Sequence, residues 1–446
     1  MPEIIPADAS PEKRLFISLL TRDIPLVAAF LDLVDNSINA AVEPYSDRLK
    51  TAVDYMSLHQ DQTVAPNVII SISVAPGRVQ IMDTAPGISA KTAAEHVFKF
   101  GRSSSESHEK DRLSVYGIGL KRALFKLGNK INIRSDHVEG GFDLKLNVQQ
   151  WARDSSPKWT FPISVRSPQE RAKCGTSITV TELHDEVERR ISDGVFEGQL
   201  RELISRTYAF YMAKFVTIDV NTKVLQGINI EIGSNHASDM LIFDNVTCAI
   251  TAGIGIQEGG QFRDRSSGWF VFCNGRAVIF ADKTQLTGWG GAGLPIFQPK
   301  HRPFLGTVFF VSKDPEKLPW TTTKSGINED SALWQMTKRQ MAAVGRVVVS
   351  FLDNRYTDEG TEVPSRDLQE ATGKRVSVLS AATTSQPRSF SPPQASVQPA
   401  TTKVQYDAKV EDIRKIARYL KRPGMSGSDV GRHTFTYFLR NEVGED

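Results

Sequence analysis

Two acids and two carboxamides, Asp32, Asp35, Asn36 and Asn39, interrupt the otherwise apolar stretch LDLVDNSINA, residues 31–40. Asp32 and Asn36 are four residues apart. On a helix they share a face, separated by about 6 Å of rise, and Asn39 falls near that face. A carboxylate beside a carboxamide can activate a water and ligate a hard cation through oxygen. The same residues also make a polar stripe at a domain interface, and taken alone that plainer reading is the commoner one.

Three further stretches carry chemistry. In DTAPGIS, residues 83–89, Asp83 closes a strand and can accept a hydrogen bond from the exocyclic amine of a base, while Gly87 lets the backbone approach a ligand closely. An ordinary Pro-Gly turn reads the same way. In SVYGIGLKRALFKLG, residues 114–128, Gly117 and Gly119 precede a helix. Glycines there free backbone N–H groups to face phosphate, the helix dipole helps, and Lys121 in the first turn adds charge. A lone Gly-x-Gly is common, but the polar stretch before it, GRSSSESHEKDRLS at 101–114, is what a lid over a nucleotide needs. In CGTSITV, residues 174–180, the Thr176 hydroxyl can join Asp83 and a water beneath a base, or be one more strand threonine.

The elements that must position these groups follow from periodicity. A helix is expected over 24–43, with Asp23 as cap and Pro25 in its first turn. Alternation predicts strands at 68–74 and 78–83, joined as a hairpin by Pro76-Gly77. Helices are expected at 91–100 and 118–127, and strands at 130–135, 142–148, 160–166 and 175–182. This is an α+β layer, helices on a mostly antiparallel sheet. A long amphipathic helix at 196–214 leads to strands at 216–220, 227–231, 246–252, 268–273 and 306–311, then a closing helix at 330–356. Residues 376–404, rich in Ser, Thr, Pro, Gln and Ala, have the composition of a disordered linker, and 406–440 reads as a small helical module.

Composition bounds the partners. The 446 residues suffice for about three domains at the usual ~150 each. A net charge of +3 argues neither for nor against nucleic acid, because only a local patch would matter. Three scattered cysteines, Cys174, Cys248 and Cys273, and eight scattered histidines give no metal-ligand spacing, so no zinc site is expected. Polar residues and Pro25 interrupt the apolar stretch at 15–34, and the start lacks an apolar signal core. The expectation is a soluble cytoplasmic protein that spans no membrane.

The order of the four motifs resembles that of the Bergerat-fold (GHKL) ATPases, the superfamily of gyrase B, MutL, histidine kinases and the ninety-kilodalton heat-shock chaperones. The resemblance covers roughly residues 10–220. It implies a Bergerat ATP-binding sandwich, with helices on a mixed sheet, that binds ATP with Mg²⁺. Asp32 would act on the attacking water, and Asn36 would hold Mg²⁺. Asp83, Gly87, Gly117, Gly119, Lys121 and Thr176 would bind nucleotide. Two positions depart from the pattern. The family acid is usually Glu, and Ala85 stands where D-x-G-x-G has its first glycine. In the second half, WFVFCNGRAVI (269–279) and LPWTTTKSGI (318–327) resemble the second, transducer domain of MutL and MORC proteins. The resemblance makes Lys324 the lysine that meets the γ-phosphate.

The resulting expectation is an ATP-binding domain at 1–215, a transducer-like α/β domain at 216–356, a disordered linker at 357–405 and a helical module at 406–446. Function by resemblance is slow, Mg²⁺-dependent ATP hydrolysis that pairs two copies into a MORC/MutL-like clamp on DNA or a protein client, in DNA maintenance or antiviral defence. A chaperone-like ATPase and a nucleotide-gated scaffold with little turnover are the alternatives. The C-terminal basic helix face reads as a partner- or DNA-binding surface or as a solvated face.

Overall fold

In VIISISVA every second residue is apolar, and in β1 (Val68–Ala75) Val68, Ile70, Ile72 and Val74 all point inward. The chain turns at Pro76-Gly77, with Gly77 at φ +76°, into β2 (Arg78–Asp83), and the pair is antiparallel with Ile70 opposite Asp83. The computed structural model describes residues 12–101, 113, 117–154, 156, 159–291, 293–355, 366–381, 387–393 and 404–444.

The hairpin sits within an eight-stranded sheet of order β5-β4-β3-β6-β2-β1-β7-β8. Its other strands are β3 (Gly128–Asp136), β4 (Phe142–Asn147), β5 (Ile163–Val165), β6 (Gly175–Leu183), β7 (Val216–Val220) and β8 (Lys223–Val224). Every pair is antiparallel except β1 with β7, so the sheet is mixed. The helices of this half are α1 (Lys13–Thr21), α2 (Leu26–Val42), α3 (Ala52–Gln60), the single turn α4 (Ala90–Thr92), α5 (Gly119–Leu127), α6 (Val148–Arg153), α7 (Asp185–Ser192), α8 (Phe196–Thr207) and α9 (Ala209–Met212). α2 starts one residue beyond Pro25, which occupies the cap position in place of Asp23. It is buried on nearly all sides, with Phe30 against Phe196 at 5.6 Å. Burying one such phenylalanine stabilises by roughly 2–3 kcal/mol.

A second sheet has the order β12-β11-β13-β10-β9-β14. Its strands are β9 (Glu231–Phe243), β10 (Val246–Gly255), β11 (Gly268–Cys273), β12 (Arg276–Asp282), β13 (Phe304–Val311) and β14 (Arg375–Ser377), with β11 and β13 parallel. GWFVFC and FLGTVFFV are apolar but for Thr307, because both faces of these strands are covered. Adjacent residues make the point: Phe309 packs tilted against Tyr55 of α3, and Phe310 against Trp334 of α10 (Ala332–Asp353). α3 therefore joins the two halves through apolar packing, and residues 1–393 form one compact unit.

Several boundaries differ from the sequence reading. β7 and β8 belong to the first sheet, so the expected division at 215/216 falls inside it. The helix expected at 196–214 divides at Tyr208, into α8 and α9. The strand expected at 227–231 gives way to a long β9 that begins at Glu231. Within the expected linker, α11 (Arg366–Thr372), β14 and α12 (Val378–Ala381) are ordered elements, and β14 adds to β9. Its small, polar composition hid a short edge strand whose register is set by β9. Residues 357–365, 382–386 and 394–403 of that linker lie outside the described residues, as does the lid expected at 101–114 apart from Gly101 and Leu113.

The second compact unit spans Gln394–Asp446. It holds α13 (Val410–Tyr419) and α14 (Gly427–Phe438), the latter capped by Ser426 accepting from the Asp429 N–H. Arg414, Lys415, Arg418, Lys421 and Arg422 are exposed on it.

Candidate active site

α2 puts the polar stripe against three other elements. Asp32 is buried, and its Oδ2 accepts from Arg122 Nε at 2.9 Å and Arg122 Nη2 at 2.6 Å. Arg122 lies on α5, directly after Lys121. The first turn of the same helix faces the acid: a methyl on Gly119 would stand 3.5 Å from the Asp32 carboxyl. Burial raises the Asp32 pKa above the ordinary carboxylate range, against the opposing pull of Lys324 and Arg122.

Asn36 is half-buried, and its Nδ2 donates to the Asp32 carbonyl at 3.0 Å. No described residue donates to its amide oxygen. Asn39 Oδ1 accepts from the Leu113 N–H at 2.9 Å and ties α2 to the end of the expected lid.

Asp83, at the end of β2, is held from three sides. Its Oδ2 accepts from Ser37 Oγ at 2.7 Å, and its Oδ1 from the Ala85 and Thr176 N–H groups at 3.1 and 3.2 Å. Burial nevertheless raises its pKa. Thr176 stands opposite Asp83 across the β2–β6 pair, and its hydroxyl lies 3.0 Å from Ser135 Oγ, which accepts from the Ile88 N–H at 2.7 Å. These bonds pin the turn of DTAPGIS onto the sheet. At Gly87, φ is +75° and a Cβ would stand 2.0 Å from the Asp136 carbonyl oxygen, so only glycine fits. Ala85, where the family pattern has glycine, is buried in the core.

The third charge cluster comes from the far half of the chain. Asp35 Oδ2 accepts from Lys324 Nζ at 2.6 Å. Asp35 Oδ1 accepts from the Tyr208 hydroxyl at 2.6 Å and from Arg276 Nε at 3.1 Å. All four residues are buried. Burial alone would raise the Asp35 pKa, but Arg276 and Lys324 overcome it and hold the carboxyl below the ordinary range. Arg276 also donates to the Lys324 carbonyl at 2.5 Å, and Lys324 takes a left-handed conformation, φ +53°. That strained turn points the lysine of LPWTTTKSGI at α2.

Sequence reasoning brought Asp32, Asn36, Asp83, Gly87, Gly119, Thr176 and Lys324 to one neighbourhood around α2. It gave Lys121 to the nucleotide site. The ammonium is buried and donates to the Val97 and Lys99 carbonyls at 2.9 and 2.5 Å, because a buried ammonium needs acceptors and the end of the preceding segment offers them. It missed Arg122, Ser37, Ser135, Arg276 and Tyr208. Only Ser37 and Arg122 had a signal, each beside a residue already singled out.

Residues 24–176 match the family of histidine kinase-, DNA gyrase B- and HSP90-like ATPases. This stretch is a GHKL ATPase domain. The match spans α2, the DTAPGIS turn, the Gly-x-Gly turn and the first two residues of β6, so the motifs that carry the resemblance are those the fold gathers. The matched stretch is thus a domain of the GHKL ATP-binding and ATP-hydrolysing type. Among curated proteins none matches the chain. Among the described residues, no helix is long and apolar enough to cross a membrane.

Proposed function

We propose that the chain is a Mg²⁺-dependent ATPase whose GHKL domain uses Asp32 on the attacking water and Lys324 on the departing phosphate charge. The reading rests on one observation above all: side chains remote in sequence, on α2, α5 and the 320–327 loop, meet around a single helix of the matched domain. Asp83 accepts from the adenine amine, whereas guanine presents a carbonyl there. Gly87 brings backbone close to the base. The N–H groups near Gly117 and Gly119, at the start of α5, face the phosphates. Thr176 orders a water beside Asp83.

The donor set fits a hard cation, because Asn36 is half-buried and its amide oxygen receives no donor from the described residues. Bound there, Mg²⁺ would neutralise phosphate charge. The chain's own residues do the rest. Asp32 takes a proton from water, and Lys324 stabilises developing negative charge with a buried ammonium. Asp32 is one methylene shorter than the usual glutamate, which suits slow turnover and keeps the nucleotide-gated scaffold in view.

ATP would pair two N-terminal domains into a MORC/MutL-like cytoplasmic clamp on DNA or a protein client. The supports are the second sheet, joined to α2 through Arg276 of β12, the loop lysine Lys324 on the same carboxylate, and the exposed cations of α13. Calorimetry tests the nucleotide assignment: Asn36→Ala should lose Mg²⁺-dependent ATP affinity by at least about tenfold. Undiminished affinity would reject Asn36 as the metal ligand.

A further inference from the structure

Arg122 is the buried cation nearest the proposed base, and nothing in the ATP-site motifs accounts for it. An arginine is charged and solvated in the unfolded chain, and placing it in a dry interior is unfavourable unless its planar donors are matched. Here two of those donors converge on one oxygen. Nε and Nη2 both bond Oδ2 of Asp32, at 2.9 and 2.6 Å. The second oxygen, Oδ1, receives neither bond and lies on the side of Gly119, about where a methyl on that glycine would come within 3.5 Å. The two ends of the carboxylate are thus differentiated. One is anchored, and the other faces the first turn of α5, where phosphates are expected.

A short aspartate needs this more than a glutamate would. With one methylene fewer it cannot reach by extending, so its working oxygen depends on χ1 and χ2 being fixed. Two charged donors meeting on Oδ2 hold that oxygen in place and leave Oδ1 outside the fork. Arg122 stands three residues, about one helical turn, after Gly119 on α5, so the anchor and the phosphate turn belong to one element.

We propose that Arg122 is a positioning residue for catalysis, which anchors Oδ2 of Asp32 so that Oδ1 is aimed at the water attacking the phosphate held by the α5 turn. The proposal rests on the ATPase reading above. Its chemistry is a proton transfer in balance: Oδ1 takes one proton from water as the water oxygen bonds phosphorus and the bond to the ADP oxygen breaks. Arg122 keeps its own protons throughout.

The test compares the parent, Arg122→Lys, Arg122→Met, Asp32→Asn and the Asp32→Asn/Arg122→Met pair. Mg-ATP affinity is read by calorimetry, turnover by phosphate release and folding by thermal melting. The parent comes first: if it neither binds nor hydrolyses ATP, the ATPase reading fails before Arg122 is examined. Given an active parent, Arg122→Met should lower kcat about 10–10²-fold with ATP affinity within about threefold of the parent, and Arg122→Lys should recover part of the rate. In the Asp32→Asn background, Arg122→Met should cost no further rate, because the residue to be positioned is already disabled. Should Arg122→Met fail to fold, the double variant removes both buried charges, and it and Arg122→Lys carry the comparison. An equal rate loss with and without Asp32, or an Arg122→Lys variant that turns over at the parental rate with parental affinity, overturns the proposal. So does loss of affinity in step with kcat.

Discussion

Asp83 illustrates a conflict between folding and binding at a single residue. Its pKa is raised by burial, so the folded protein penalises the ionised form that an adenine amine would need as acceptor. The sign follows directly. A carboxyl whose folded pKa lies above its unfolded value near ~3.9 favours the fold below that value, and the benefit is lost as pH rises through the folded pKa. At neutral pH Asp83 is therefore a cost to stability. Asp83→Asn keeps an oxygen for the Ala85 and Thr176 N–H groups and removes the charge. It should melt no lower than the parent at pH 7, yet lose ATP affinity by about tenfold or more. In the parent, ATP affinity should fall on acidification at a pH above the ordinary carboxylate range, and the variant should lack that dependence; titration calorimetry across pH reads both. Parental affinity for ATP, or a parent that takes GTP equally well, would remove Asp83 from the adenine site. The residue types here were legible in the sequence because they lie within short motifs. Asp35 was not, because its partners Arg276 and Lys324 stand 241 and 289 positions away. No local pattern reports that distance.

At the scale of elements, α2 is held between α5 and the second sheet, and each grips it through a buried charge pair. Removing Arg276 leaves Asp35 with Lys324 and Tyr208 alone. Breaking a buried pair from one side typically costs about 3–5 kcal/mol, so Arg276→Gln should lower the unfolding free energy by on the order of 3 kcal/mol in denaturant titration. A change below about 1 kcal/mol would mean the network contributes little. Gly87→Ala is a backbone test. Its methyl would overlap the Asp136 carbonyl at 2.0 Å, so the turn must shift, and both melting temperature and ATP affinity should drop. The hairpin, α5 and the central strands could be read from period and turn chemistry. The break at Tyr208 and the edge strand β14 could not. The first places a hydroxyl against a carboxylate on another element, and the second is a short polar segment that takes its pairing from β9.

At the scale of the molecule, two mixed sheets share one compact unit through α3 and α2, with a smaller helical unit at 394–446. The motif order pointed to the family of the first sheet's domain, while in the second half WFVFCNGRAVI and LPWTTTKSGI pointed to a second domain and to Lys324. If ATP pairs two copies, sedimentation with a non-hydrolysable analogue should show a heavier species at micromolar protein, and an unchanged mass would count against pairing. If the clamp acts on DNA, affinity for long duplexes should fall steeply with salt. The most direct measurement is phosphate release at saturating Mg-ATP for the parent and Asp32→Asn, with ATP affinity measured on the same samples. The expected result is parental turnover, a rate lower by about 10²–10³ in the variant, and affinity retained within a few-fold. Equal rates in the two proteins would contradict Asp32 as the base and make Asp35 the next acid to replace.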